Sequence, residues 1–391
     1  MSGTKTESDC NTGVGIVKTN SFTAASGKDD ALKLACGRVL FPVTVAYETY
    51  GSLSVEKDNA ILLTHALSGD SHIAGYHKGD DKPGWWDDMV GPGKTFDTKK
   101  YFIICSNVIG GCKGSTGPAS INPETCKPYG LDFPIITISD MVDAQRRLID
   151  SFGIKKLLCV AGGSMGGMQA LQWVVSYPEK VASVIAISTA LKHSPQQIAL
   201  SEVGRQAIMS DPNWRGGDYY GHSQPEKGLS VARMIGHITY MSEQSMEKKF
   251  SRKLKNSKYG FSLESDFEVE NYLHYRGDSF VKRFDANSYL YITKAMDYFD
   301  LSGNKLTIDS RTSKVRFLVI AFKSDWLYPS TQSEEIVRVL KNSSIDASYC
   351  LVNSNYGHDA FLLEFKAEAR LITNFLNKSY TENNGDIGYG I

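Results

Sequence analysis

Residues 155–173 read KKLLCVAGGSMGGMQALQW: an apolar run, a glycine-rich turn holding one serine, and a run of good helix formers in direct succession. Apolar residues at consecutive positions are the mark of a strand covered on both faces. The MQALQW end is built from residues with high helix propensity. Between the two, Gly162-Gly163-Ser164-Met165-Gly166 matches G-x-S-x-G, the nucleophile elbow, whose glycines leave room for a strained serine that lifts its Oγ above a sheet. The Met165 amide, at the helix N-terminus, then faces the oxygen that becomes negative during acyl transfer. A turn whose serine merely caps the helix is the alternative reading; the strand before it and the helix after it favour the elbow.

Working outward, the same type of strand recurs in FPVTVAYETYG (41–51), NAILLTHAL (59–67), YFIICSNVIG (101–110), VASVIAIST (181–189), VRFLVIAFKSD (315–325) and DASYCLVNS (346–354). Helix-length segments separate them, so the expected class is α/β: a mostly parallel central sheet with helices on both faces. From 191 to 311 no strong strand run appears, while ALSEVGRQAIMSD, LSVARMIGHITYMSEQSMEKKFSRKL and DANSYLYITKAMDYFDL carry apolar residues at spacings of three and four. That stretch is read as an inserted helical lid. The core is then 31–190 and 312–378, with a loose polar segment at 1–30 and a loose tail at 379–391.

A serine at an elbow needs an acid and a histidine, each at the end of a later strand and in that chain order. Asp325 follows VRFLVIAFKS, and His358 follows DASYCLVNSNYG. Asp297, Asp300 and Asp309 lie in or beside the insertion instead. His193, His222, His237 and His274 also fall in the insertion, where a packed or solvated histidine is expected, and His65, His72 and His77 precede the serine. A second oxyanion donor is expected from the loop after an early strand; the Leu67 amide in ILLTHALSGDSH fits.

Charge narrows the partners. Lys plus Arg and Asp plus Glu number 43 each, so no basic excess points to nucleic acid or an anionic membrane. The N-terminus lacks the basic and apolar regions of a signal peptide, and no run reaches eighteen apolar residues, which suggests a cytoplasmic protein. Seven cysteines without a CxxC pair fit reduced thiols rather than a zinc site. GPGKT (91–95) lacks the first glycine of a P-loop, because Asp88 stands there. Cys112 in GGCKGS has no evident activator, so a structural or substrate-lining loop is expected.

The sequence resembles the homoserine O-acyltransferases of the α/β-hydrolase superfamily from about Val43 to Leu376. The likeness rests on HALSGDSH, GWWDDMVGPGKTFDT, GGCKGSTGPASINP, GGSMGGMQALQW, GRQAIMSDPNW, ARMIGHITYMSE, SDWLYP and YGHDAF. It implies an α/β-hydrolase fold with a lid inserted between nucleophile and acid, and Ser164, Asp325 and His358 as the triad. It also implies substrate binding by Arg233, Tyr240 and Asp359, and homodimers paired through the lid. Homoserine is a zwitterion, so a cation and an anion in the site suit it. No metal or bound cofactor is implied; acetyl-CoA enters as a substrate. Members that use succinyl-CoA tend to carry an arginine after the Asp-Trp pair, whereas Asp325-Trp326 is followed here by Leu327, which favours acetyl. A succinyl donor, a serine acceptor and a plain esterase or thioesterase remain the alternatives.

Overall fold

A computed structural model describes residues 13–383 apart from 304 and 308. Eight strands form the central sheet: β1 (Asn20–Ala25), β2 (Val43–Tyr50), β3 (Ala60–Thr64), β4 (Phe102–Ser106), β5 (Cys159–Gly163), β6 (Ser183–Ile187), β7 (Arg316–Phe322) and β8 (Ala347–Val352). Their spatial order is β1-β2-β4-β3-β5-β6-β7-β8. The first two pairings are antiparallel and the rest parallel. Every side chain of β3, β4, β5 and β6 is buried, which is why those strands read as unbroken apolar runs rather than as alternations.

Successive residues nevertheless face opposite layers. Leu62, Val160, Val184 and Val319 join a core with helices α1 (Ile138–Ser151), α2 (Met165–Ser176) and α8 (Ser330–Asn342). Leu63, Ala161, Ile185 and Ile320 join a second core with helix α9 (Phe365–Asn383). Five further helices lie between β6 and β7: α3 (Pro195–Met209), α4 (Glu226–Tyr240), α5 (Glu243–Lys249), α6 (Glu268–Val281) and α7 (Ala286–Tyr298). The start of α3 is fixed by its own sequence: Ser194 caps the Gln197 amide, the Gln197 side chain returns the bond, and Pro195 occupies the first turn.

Two expectations are corrected at the chain ends. Part of the segment expected to be loose, Asn20–Ala25, is β1, paired with β2 from Asn20↔Tyr47 to Ala25↔Val43. Only Ala24 and Ala25 of this edge strand are buried, so it carries no apolar run to read. At the other end α9 continues to Asn383, past the expected start of the tail at 379. Residues 13–19 are placed as well, with Ile16 bridging Tyr76; 1–12 and 384–391 lie outside the described residues.

The register brings the C-terminal ends of β3, β5, β6, β7 and β8 together. Gly162 pairs with Thr64, Gly163 with Ile187, and Phe322 with Val352. Ser164, Asp325 and His358 all follow these ends, along the edge where parallel α/β sheets bind ligands.

Candidate active site

Ser164 sits at φ 57°, ψ −123° between β5 and α2. A non-glycine residue there is strained and persists only when its surroundings hold it. Its N–H donates to the Ile187 carbonyl (2.9 Å), and its carbonyl accepts from Thr189 Oγ1 (2.9 Å) and the Met168 amide (3.2 Å). The elbow glycines answer to close contact with β3. A Cβ on Gly162 would lie 2.3 Å from Thr64 Oγ1, and one on Gly166 would lie 2.2 Å from the Thr64 carbonyl oxygen.

That contact also sets the oxyanion loop, because Thr64 leads into His65-Ala66-Leu67. Thr64 Oγ1 hydrogen-bonds the Gly166 carbonyl at 2.8 Å, and the Gln169 amide nitrogen spans the His65 and Met165 carbonyls at 3.1 and 3.3 Å. Gln169 is held in turn by Gln145, and Gln145 by Trp173. Burial pushes the His65 imidazole down; it bonds the Ala66 carbonyl through Nδ1 and receives the Val108 amide at Nε2. Among the described residues neither the Leu67 nor the Met165 amide donates to a protein acceptor, so both are free for an oxyanion.

His358 Nδ1 lies 2.7 Å from Asp325 Oδ2, and the other carboxylate oxygen of Asp325 accepts the Tyr328 amide at 2.8 Å. Both residues are buried. The imidazole is stacked on the Tyr328 ring (centroids 5.0 Å, 25°) and flanked by Phe361 and Tyr240. Among the described residues no hydrogen bond joins Ser164 Oγ to His358 Nε2; in unliganded sites that contact is commonly long.

Ser164, Leu67, Tyr240 and Tyr328 line one pocket, roofed by α3, α4 and α7. The Arg233 guanidinium reaches Ser68 Oγ (3.2 Å) beside the oxyanion loop and lies over the Phe280 and Tyr240 rings at 4.7 and 5.5 Å. Burial pushes the Asp359 carboxyl up, with His358 and Arg233 pulling it back down. Of the residues named from the sequence, Leu67, Ser164 and Tyr240 line this pocket; His358 stacks on its Tyr328 and flanks its Tyr240, and Arg233 stands at Ser68 next to Leu67.

Residues 59–365 match the family model of the alpha/beta hydrolase fold. A homoserine O-acetyltransferase of Methanohalobium evestigatum is 58% identical over 356 residues, covering 90% of this chain and 73% of that protein. The chain belongs to the homoserine O-acetyltransferase family. As a member of that family it is an acyltransferase enzyme. Two solved structures share the architecture. Homoserine O-acetyltransferase from Bacillus anthracis superposes with a TM-score of 0.85 at 32% identity, covering 93% of this chain and 98% of that one. Esterase E22 does so with a TM-score of 0.82 at 30% identity, covering 92% and 100%.

In this homoserine O-acetyltransferase family member, sequence reasoning missed two side chains of the pocket. His193, expected to be merely packed or solvated, lines it beside Tyr328, with its Nε2 2.7 Å from the phenol oxygen. SDWLYP held a signal for Tyr328, which is three residues beyond the acid; nothing local marked His193. The set-aside motifs have ordinary roles. Lys94 of GPGKT is tied to Asp87, and burial pushes the Cys112 thiol up to about 11, away from thiolate chemistry.

Glu48, His72 and His77 place ligand-type atoms within 4.8 Å of one another. The Glu48 carboxylate is already filled by Tyr50 (2.6 Å), Thr19 (2.8 Å), His77 (2.8 Å) and His72 (3.1 Å). Burial opposes ionisation, but these hydrogen bonds win and hold Glu48 down at about 2. A depressed carboxyl contributes stability above its ordinary value of 4.5, lost as pH falls towards 2. Glu48→Gln is expected to cost on the order of 2 to 3 kcal/mol at pH 7 and to flatten the loss of stability between those pH values. Urea melts at pH 7, 4 and 3 check it; parallel curves for both proteins would reject it.

Proposed function

We propose that the chain moves the acetyl group of acetyl-CoA to the hydroxyl of L-homoserine, through an acetyl-Ser164 intermediate, as a step of methionine biosynthesis. The elbow serine beside a paired His358–Asp325 carries this reading. His358, held by Asp325, takes the Ser164 proton as Oγ attacks the thioester; the Leu67 and Met165 amides stabilise the oxyanion, and CoA leaves with the proton. Homoserine's hydroxyl then repeats the step on the acyl-serine, with Arg233 on its carboxylate, Asp359 on its ammonium and Tyr240 lining the acceptor side. Fixed donors of this kind contribute about 3 kcal/mol each.

Cations at the pocket rim support a CoA donor. Arg233 and Arg283 meet at Ser68, the latter donating to its carbonyl at 2.9 Å. Arg276 and Lys249 lie over the Tyr272 ring at 5.2 and 4.3 Å. Among the described residues none of the four forms an ion pair with a carboxylate. Together they push the neighbouring His237 down to about 3, after burial as the larger cause. Asp359 and Asp70 offset these charges only at a distance, and with Arg233 kept for the acceptor carboxylate, Arg276, Lys249 and Arg283 are left to meet an anion, which the phosphates of CoA supply. Replacing Arg276 and Lys249 by glutamine is expected to raise KM for acetyl-CoA about tenfold, and far less for an S-acetyl thioester without phosphates. Equal shifts for both donors would refute the assignment.

Leu327, where succinyl users carry arginine, favours the acetyl donor. The same reading gives a cytoplasmic homodimer, paired through the lid helices, where Val203, Val231 and Ile238 are exposed. No metal or resident cofactor is required. The likeness to esterase E22 keeps hydrolysis as the second reading. Release of CoA thiol from acetyl-CoA, measured without acceptor, with homoserine and with serine, separates them. Homoserine-dependent release supports transfer; equal release without acceptor means a hydrolase.

A further inference from the structure

Behind the pocket runs a second buried polar chain, built from the lid. Tyr328 Oη pairs with His193 Nε2 at 2.7 Å, and His193 Nδ1 with Asp297 Oδ1 at 3.0 Å. The second oxygen of Asp297 lies 2.8 Å from Arg205 Nη1. Tyr328, His193 and Arg205 are 2%, 6% and 6% exposed, and the Asp297 side chain 6%. No residue of the proposed mechanism needs this chain, yet it ends against the nucleophile. Burial and the Asp325 charge push the Tyr328 phenol up, and Tyr328 lines the same pocket as Ser164.

The direction of the bonds follows from donor chemistry. Asp297 only accepts, so the His193 hydrogen sits on Nδ1, and in that tautomer Nε2 carries the lone pair. His193 Nε2 is then an acceptor and takes the Tyr328 O–H. The phenol oxygen is left presenting lone pairs to the pocket, where it can receive a hydrogen bond and not give one.

We propose that Tyr328, oriented by His193, Asp297 and Arg205, is the docking point for the hydroxyl that is about to attack. In the free enzyme that hydroxyl is Ser164. Acylation sends the Ser164 proton to His358 and on to the CoA thiolate, so the acyl-serine oxygen carries no hydrogen and the Tyr328 lone pair falls vacant. The next O–H to arrive, that of the acceptor alcohol, fills it and is held against the acyl-serine until it turns to His358 Nε2. Tyr328 touches the reacting hydroxyls; His193, Asp297 and Arg205 are positioning residues. The inference rests on the acyl-transfer reading above and extends it to how the acceptor is retained in preference to water.

Tyr328→Phe removes one oxygen and keeps the ring stacked on His358. Transfer of acetyl to homoserine is expected to fall about 10- to 100-fold, with KM for homoserine rising, while the pre-steady-state burst of CoA release falls by a much smaller factor. The ratio of transfer to hydrolysis should fall with it. His193→Leu should reproduce that split, and His193→Gln, which keeps an oxygen acceptor for the phenol, should recover part of it. If burst and transfer fall together in Tyr328→Phe, the role is structural and the inference is wrong; an unchanged transfer rate overturns it as well. Wild-type enzyme that releases CoA but acetylates no homoserine overturns the function reading and this inference with it. Wild-type enzyme that transfers normally beside an unaffected Tyr328→Phe overturns this inference alone.

Discussion

Ser164→Ala is expected to lower homoserine-dependent CoA release by a factor on the order of 10^4 to 10^6 while leaving the fold intact. The strained backbone at residue 164 is held through main-chain groups: its N–H on Ile187, its carbonyl on Thr189 and Met168. Alanine keeps all three bonds and loses only Oγ. Any residual rate would come from the oxyanion amides and from holding the two substrates together. Two readouts test this. CoA release is followed with a thiol reagent, and intact-mass spectrometry after mixing with acetyl-CoA alone should find one added acetyl group on the wild type and none on the variant. A variant that still transferred acetyl at a tenth of the wild-type rate would show that the acyl group passes directly between substrates, or through another nucleophile.

The parts of this site legible in sequence are those whose physics is local. Buried strands β3, β5, β6 and β7 had to be continuously apolar, and the elbow had to place glycines where Thr64 crowds Gly162 and Gly166. The triad order then follows from which strands end before an acid and a histidine. β1 was not legible, because an edge strand with two buried alanines carries no apolar pattern. The chain from Tyr328 to Arg205 was hidden for a different reason. His193 and Asp297 stand 104 positions apart and Tyr328 and His193 stand 135 apart, and only the packing of the lid on the acid loop joins them. The rim cations escaped notice in the same way: on one helix at a time, Lys249 and Arg276 are indistinguishable from solvated surface charges. Arg233 and Asp359 were reached only through family resemblance, and their geometry makes sense only once Ser68 and His358 are beside them.

Asp325→Asn should reduce acetyl transfer by about 10^4-fold, and the hydrogen-bond inventory around this residue gives the reason. One oxygen of the carboxylate accepts the Tyr328 amide (2.8 Å), and the other meets His358 Nδ1 (2.7 Å). Asparagine offers one acceptor and one NH2 donor in the same space. With the NH2 towards Tyr328, two donors face each other in a buried position, which is the more costly arrangement because neither finds water. The side chain therefore keeps its oxygen on Tyr328 and turns the NH2 to His358. Nδ1 must then accept, the ring hydrogen moves to Nε2, and the base can no longer take the proton of Ser164 or of the acceptor alcohol. Because the Tyr328 amide stays satisfied, the stacking of its ring on His358 and the bond of its phenol to His193 should persist. The defect should thus appear as a loss of kcat in both half-reactions, in contrast to the split expected for Tyr328→Phe. Burst kinetics on the two variants side by side check the pair of predictions; an Asp325→Asn enzyme whose acylation burst remained near wild type would mean that His358 is held in its working tautomer by some other group.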